Sequence, residues 1–449
     1  MKIAIVGTGY VGLITGISLA QANHTIFCID QFNNKVSAIN SSKSPFYEPR
    51  LDQSLKDVLK KGLFKATENL QDAILESDII IVAVGTPTVN NKIDLSAIKK
   101  ASIQIGKIMQ KSKKYQVIVI KSTVLPGVTE NVVKPILEQY SHKKIGEFGL
   151  CMNPEFLREG NALEDASNPD RIVIGQVDEK SGREFAKIYS KFSCPIIFTN
   201  LWTAEMTKYA SNALLATLIS YSNEIARISE NTGKIDIVDV WKCVHLDRRL
   251  SPLDGKKRIR PGILNYISSG CGYGGSCLPK DTRALASFAT ELGVKANLLN
   301  SVIAINQTQP KRIILLLEKA LGNLKNKKIA VLGLSFKADT NDIRESVALL
   351  IIEELLLRGS IVACHDPKAY QEKIPPQLAK LSVALSNSAQ EAVKNADAVI
   401  LVTAWVQYKK LSAQFFKKNM KRPIVIDGRR IYDKYSFLEA GIIYKGIGL

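Results

Sequence analysis

A cysteine placed to act as a nucleophile stands at Cys277, inside the run Gly270-Cys271-Gly272-Tyr273-Gly274-Gly275-Ser276-Cys277-Leu278-Pro279-Lys280-Asp281. Pro279 marks a helix start, and Leu285, Phe288 and Leu292 give that helix its apolar face, so the thiol sits at a helix N-terminus. The partial positive charge there, with Lys280 close by, favours the thiolate that nucleophilic attack requires. Asp281 follows one helical turn later on the same face, within reach of the sulfur or of a bound water. The surrounding glycines read as room for a ligand to approach the backbone. The competing reading is a small buried cysteine beside an aspartate that satisfies helix amides.

Two further groups could do chemistry. Lys208 and Asn212 form an i, i+4 pair amid Tyr209, Ala210, Ala213, Leu214 and Leu215, and a partly buried lysine there could hold a developing oxyanion. Taken alone, an ion pair of Lys208 with Glu205 explains the same residues. In Asn153-Pro154-Glu155-Phe156-Leu157-Arg158-Glu159-Gly160, two carboxylates four apart suit general-base work on a water or cofactor binding. A capped, solvent-facing turn is the alternative.

At the N-terminus, Gly7-Thr8-Gly9-Tyr10-Val11-Gly12 follows the apolar run Lys2 to Val6 and opens a helical pattern. Glycines in that order make a tight turn, admit a pyrophosphate to the helix N-terminal amides, and let helix pack on strand. Asp30 ends the next strand, where its carboxylate can bind an adenosine ribose and repel a 2′-phosphate, favouring NAD over NADP. Lys35 is either a solvated helix residue or a second ribose contact. Gly85-Thr86-Pro87 and Lys121-Ser122-Thr123 follow the strands ending at Val84 and Ile120, at carboxyl ends where open α/β sheets bind ligands.

The elements that must carry these residues alternate. Strand patterns at 2–6, 25–30, 79–84, 117–120 and 172–174 are separated by helical ones, the first at 11–22, which predicts a doubly wound parallel sheet over about 1–200. A helical run of nearly 30 residues from Trp202 to Asn231, closed by Thr232-Gly233, opens a mainly helical middle over 201–321 with further helices at 279–292 and 296–319. Strands at 328–332, 360–364, 398–402 and 424–426 then predict a second α/β domain over 322–449.

Composition narrows the classes. At 449 residues the chain is too long for one core, and no charge-free apolar run reaches the ~18 residues of a membrane helix. Seven cysteines without a CxxC pair point to reduced thiols in a cytoplasm, and away from a disulfide framework or a metal site. The net charge of +19 comes from scattered basic residues rather than one block, which suits solvated faces and anionic small molecules better than nucleic acid.

In this order the segments resemble the UDP-glucose/GDP-mannose dehydrogenase family, enzymes that oxidise a nucleotide sugar's primary alcohol to a carboxylate. The resemblance spans nearly the whole chain: GTGYVGL, SPFYEP from Ser44, VGTP, KSTVLPG, NPEFLREGNA, PDRIVIG, the Lys208/Asn212 pair, GYGGSCLPKD, GLSFKADTNDIRES from Gly333, and DGRR from Asp427. GYGGSCLPKD is the most specific. The resemblance implies an N-terminal Rossmann-type NAD domain, a central helical dimerisation domain and a C-terminal Rossmann-like UDP-sugar domain. It implies NAD contacts from Gly7, Gly9, Gly12, Asp30, Lys35, Thr86, Thr123, Glu159, Lys280 and Arg344. Toward the UDP-sugar it implies Glu155, Phe156, Leu157, Arg158, Glu159, Lys208, Asn212, Tyr266, Ile267, Ser268, Ser269, Gly270, Gly274, Lys337 and Arg429. Cys277 would be the nucleophile, Lys208, Asn212 and Asp281 would assist the oxyanion and water, and Glu155 or Glu159 with Thr123 would place or activate that water. UDP-glucose is favoured over GDP-mannose or an N-acetylated UDP-sugar. Arg50, Ala404 and the long 250–261 stretch depart from the family's pattern, and the arginine that relatives carry toward a partner subunit is not aligned. Outside the family, a two-electron NAD-dependent hydroxy-acid dehydrogenase would use Lys208 and Asn212 without Cys277. The implied partners are a UDP-sugar and a second copy of the chain, with no nucleic acid and no membrane insertion.

Overall fold

The computed structural model describes residues 1–89, 92–370 and 374–449 and divides into two compact units, Met1–Ser211 and Asn212–Leu449. In the first unit, β1 (Lys2–Val6), β2 (Thr25–Ile29), β3 (Phe64–Thr67), β4 (Ile79–Val82), β5 (Val117–Ile120), β6 (Gly149–Met152), β7 (Ile172–Gln176) and β8 (Ile196–Thr199) form one sheet. Its order is β8-β7-β6-β5-β4-β1-β2-β3. The run Lys-Ile-Ala-Ile-Val is apolar almost throughout because both faces of β1 are covered. Ile3 and Ile5 pack with Leu13, Ile14 and Ile17 of the Tyr10–Gln21 helix, while Ala4 and Val6 pack with Ile98, Ala101 and Ile105 on the other face.

The sheet departs from the predicted all-parallel form at one place, since β6 and β7 pair antiparallel, Cys151 opposite Gln176. Parallel neighbours need a crossover of a dozen or more residues; here a loop and the six-residue Ala162–Ser167 helix return the chain beside β6 in the opposite sense. Strands β3, β6 and β8 were not expected from the sequence. Each is only four residues long, and β3 and β8 are edge strands whose residues are not all buried, so their apolar signal is weak.

The second unit begins within the long Leu201–Thr232 helix and holds the Ile237–His245, Leu278–Glu291 and Asn297–Leu321 helices. Its sheet contains β9 (Lys328–Leu332), β10 (Ile361–His365), β11 (Ala384–Leu385), β12 (Ala398–Leu401), β13 (Ile424–Asp427) and β14 (Ile443–Gly446) in the order β11-β10-β9-β12-β13-β14, all parallel. Ile329 and Val331 pack in one core with Ile313, Leu317, Trp241 and Leu264, so the helical residues that precede this sheet in the chain share its core. Among the described residues no helix is long and apolar enough to cross a membrane.

Candidate active site

In the first unit the carboxyl ends of β1, β4 and β5 lie side by side, at the point where the order of strands reverses about β1. Three glycines shape the turn after β1 in different ways. Gly7 holds φ +107°, and a Cβ there would stand 2.6 Å from the Ala83 carbonyl oxygen; a Cβ on Gly12 would stand 1.9 Å from the carbonyl oxygen of Gly7. Both are demanded by the fold. Gly9 has ordinary backbone angles and nothing within 4 Å of its would-be Cβ, so its missing side chain leaves open space beside the helix N-terminus.

Asp30 faces that turn. It accepts hydrogen bonds from the Thr8 hydroxyl at 2.5 Å and the Phe32 amide at 3.1 Å, and Lys35 lies 3.5 Å away. Burial pushes its pKa up, but these donors outweigh burial and hold the carboxyl below its ordinary value. The Thr86 hydroxyl donates to the Thr123 carbonyl at 2.9 Å, and the Ser122 hydroxyl donates to the Val84 carbonyl at 2.7 Å, tying the β4 and β5 loops together. Open space at Gly9, helix N-terminal amides and an ionised Asp30 fit a dinucleotide pyrophosphate and ribose.

The carboxylate of Glu155 is buried, which excludes the solvent-facing turn. Its partner is Lys208, Nζ to Oε1 at 2.8 Å, with the Leu157 amide donating to Oε2 at 2.6 Å. Burial raises the Glu155 pKa, and Lys208, the Leu157 amide and Lys121 together pull it below the ordinary value. Glu205, the alternative partner, is engaged by backbone amides. It accepts the Gly127 amide at 2.6 Å and the Thr129 amide at 2.8 Å, at the start of the Thr129–Val133 π-helical turn. Backbone amides beyond the β5 loop claimed it first, an option that the i, i+3 spacing of Glu205 and Lys208 does not reveal. Phe156 packs under the Arg171 guanidinium, 4.0 Å from the ring centre, and exposed Arg158 is bidentate with Asp165.

Glu48, from the SPFYEP segment, is a functional support that sequence reasoning missed. It accepts the Tyr10 hydroxyl, the Gly160 amide at 2.7 Å and the Ala162 amide at 2.7 Å, so it fixes the Glu155–Glu159 loop to the helix that opens at the glycine turn. An acid set between aromatic and proline residues was the available signal.

In the second unit, Cys277 is the N-cap residue of the Leu278–Glu291 helix and is partly exposed. Asp281 is buried one turn in. Its carboxylate is engaged by the Asn212 amide nitrogen at 2.6 Å and by Lys280 Nζ at 2.5 Å. Lys280 is therefore held on Asp281, and Asp281 anchors Asn212.

The glycines of this loop are required by the protein's own packing. A Cβ on Gly274 would stand 2.3 Å from the Glu345 carbonyl oxygen, one on Gly275 (φ +84°) 2.8 Å from the Phe336 ring, and one on Gly272 (φ +104°) 2.7 Å from Asn306 Oδ1. The Gly275 amide donates to the Arg344 carbonyl at 3.0 Å, and Arg283 pairs with Glu345 at 3.0 Å. The cysteine loop is thus seated on the 333–346 loop that follows β9. In that loop Arg344 reaches both carboxylate oxygens of Asp342, Nε to Oδ1 at 3.0 Å and Nη2 to Oδ2 at 2.7 Å, and Lys337 lies over the Phe336 ring.

Tyr266 is half-buried and Ser268 exposed, while Ile267 is buried in the core and its carbonyl accepts from His245. The Ser269 hydroxyl donates to the Ser222 carbonyl and accepts from Trp241, and the Gly270 amide donates to Asn223. Arg429 donates through Nε to the Val402 carbonyl at 2.6 Å and reaches the Gly272 carbonyl at 3.4 Å. Its neighbour Arg430 pairs with Asp236, the N-cap of the Ile237–His245 helix, at 2.8 Å. Among the described residues, no group of three or more His, Cys, Asp or Glu is placed to hold a metal ion.

The chain is similar to known proteins over its whole length. Residues 1–193, 202–308 and 330–434 match, in turn, the NAD binding, central and UDP binding domains described for the UDP-glucose/GDP-mannose dehydrogenase family. The UDP-glucose 6-dehydrogenase TuaD of Bacillus subtilis is 39% identical, with all of this chain and 93% of that protein covered. The UDP-glucose 6-dehydrogenase of Pseudomonas aeruginosa is 34% identical, with 100% and 97% covered. Among solved structures, a UDP-glucose dehydrogenase from Pyrobaculum islandicum superposes with TM-score 0.89 at 33% identity, covering 99% of this chain and 97% of that one. The UDP-D-ManNAc dehydrogenase of Pyrococcus horikoshii gives TM-score 0.85 at 28% identity, covering 100% and 99%.

Proposed function

We propose that this chain, which belongs to the UDP-glucose/GDP-mannose dehydrogenase family, oxidises UDP-glucose to UDP-glucuronate in two NAD-dependent steps. The observation that carries the reading is a partly exposed Cys277 at the N-cap of a helix whose first turn holds the anchored Asp281. When bound, NAD would accept one hydride per molecule, so two molecules bound in succession would be needed, one for the alcohol and one for the next oxidation level. Gly7, Gly9, Gly12, Asp30, Lys35, Thr86, Thr123, Glu159, Lys280 and Arg344 are proposed to hold it.

The residues of the chain supply the rest. The alcohol, on losing a hydride and a proton, becomes an aldehyde; the Cys277 thiolate adds to its carbon, giving a thiohemiacetal whose oxygen carries the negative charge. Lys208 and Asn212 are suited to stabilise that oxygen as donors. Loss of the second hydride leaves a thioester on Cys277. Water then adds to the thioester carbon, the sulfur departs as thiolate, and the acid is released. Glu155, ionised and buried, is suited to take the proton from that water, with Glu159 and Thr123 assisting in its placement, and the Asp281 anchor keeps Asn212 in position.

The remaining contacts to UDP-glucose are assigned to Phe156, Leu157, Arg158, Tyr266, Ile267, Ser268, Ser269, Gly270, Gly274, Lys337 and Arg429. The domain division 1–200, 201–321 and 322–449 belongs to the same reading. So does a cytoplasmic homodimer, supported by free cysteines and by exposed Leu214, Tyr221 and Ile228, seven apart on one helix. Mixing the protein with NAD and a panel of nucleotide sugars tests the function. Two NADH per acid formed from UDP-glucose is the expected result; one NADH per product would mean a simple alcohol dehydrogenase.

A further inference from the structure

Lys121 follows β5 directly and is 7% exposed. Among the described residues its ammonium makes one hydrogen bond, to Asn153 Oδ1 at 2.8 Å. Asn153 cannot yield, because its Nδ2 donates to the Val173 carbonyl and the Tyr189 hydroxyl also donates to its Oδ1, each at 2.8 Å. An ammonium has three donors and is costly to bury without a compensating charge. Burial pushes the Lys121 pKa down to about 8; of the charged groups that act on it, Glu155 favours its charge without offsetting burial, and Lys208 opposes it alongside burial. Around Glu155 the counterpart groups are Lys208 from the long helix, Lys121 from the β5 end and the Leu157 amide of its own loop. Arg171 lies across the neighbouring Phe156 ring. Lys121, held by Asn153 two residues before Glu155, is therefore a second ammonium acting on the carboxylate that Lys208 touches.

That second charge has a use if Lys208 must leave the pair. When its ammonium is drawn onto the reacting oxygen, Glu155 would be left buried without a cation and would take up a proton, losing its capacity as a base. We propose that Lys121 is a positioning residue that keeps Glu155 ionised through the step in which the thioester is hydrolysed. This rests on the function proposed above. Asn153 keeps Lys121 in place, so its charge does not travel with Lys208.

The test follows acid release after the initial NADH burst, as a function of pH, with NAD and UDP-glucose. In Lys121→Met and Lys121→Gln the acid limb of that step should move up by about one pH unit, with the Michaelis constants little changed. The glutamine variant retains a hydrogen-bonding side chain should the methionine one fail to fold. Tyr189→Phe removes a hydrogen bond from the same Asn153 oxygen without changing charge, and its limb should stay where the unaltered enzyme has it. A limb that stays put or moves down in the Lys121 variants overturns the assignment while leaving the function intact. If the unaltered enzyme makes no NADH from UDP-glucose, the functional reading fails, and this inference with it.

Discussion

At the scale of single residues, the proposed chemistry turns on the difference between sulfur and oxygen at position 277. A serine hydroxyl there would form little alkoxide near neutral pH and would leave an acyl carbon poorly. Cys277→Ser is expected to bind NAD and UDP-glucose within a few-fold of the parent and to lose acid formation by on the order of a thousandfold. Equilibrium binding and steady-state NADH formation check it, and normal turnover would rule out a thioester. The helix-terminal position of Cys277, the glycine turn and the strand-end position of Asp30 were legible because each is a local pattern: a residue type at a fixed offset from a helix or strand end. The partner of Lys208 was not. Glu155 is remote in sequence, and only the fold brings the β6 loop against the long helix, while the nearby Glu205 is taken by the Gly127 and Thr129 amides.

At the scale of elements, the two glycine-rich loops look alike as sequence and differ in what their glycines do. A methyl group at Gly9 meets nothing in the protein, whereas one at Gly274 is driven against the Glu345 backbone. Gly9→Ala should therefore fold with a melting temperature close to the parent's and raise the Michaelis constant for NAD. Gly274→Ala should lose about 1–3 kcal/mol of stability, because the 333–346 loop must move away from the cysteine loop. Urea unfolding curves and NAD kinetics on both variants check the contrast. Sequence shows glycine content but not what stands opposite it, so ligand space at one loop and tight packing at the other read the same.

The β5 loop offers a second test at this scale. Glu205 is buried, and burial pushes its pKa up to about 7 despite its two backbone donors. A carboxyl whose folded pKa lies above the unfolded value of about 4.3 contributes stability that is complete below that value and is lost as pH rises through the folded one. Unfolding free energy should thus fall by up to about 1.4 kcal/mol per pH unit between about pH 5 and 7 from this group. Glu205→Gln, which cannot ionise, should remove that part of the slope. An unchanged slope in the variant would show that Glu205 ionises in the fold as readily as in the unfolded chain.

At the scale of the whole molecule, the three stretches of the chain were legible in order because each restarts a strand–helix alternation or a long helical run, although short strands and the antiparallel β6/β7 pair escaped the pattern. The charge is a property of the same scale. A net +19 spread over the surface belongs to no site, yet both proposed ligands carry pyrophosphates, so the field of the whole protein draws them in. Salt screens such attraction over ~8–10 Å without changing groups that already touch. Raising ionic strength from about 0.02 to 0.3 M should lower kcat/KM for NAD and for UDP-glucose by several-fold while kcat stays within about twofold. The slope should respond to charge placed anywhere. Lys60, Lys61, Lys99 and Lys100 are exposed and lie outside every motif, and changing all four to glutamate removes eight units from +19, leaving +11. That variant should show a weaker salt dependence with an unaltered kcat at high salt. If its slope matches the parent's, attraction comes only from lysines and arginines at the phosphates themselves, and the surface charge has another purpose.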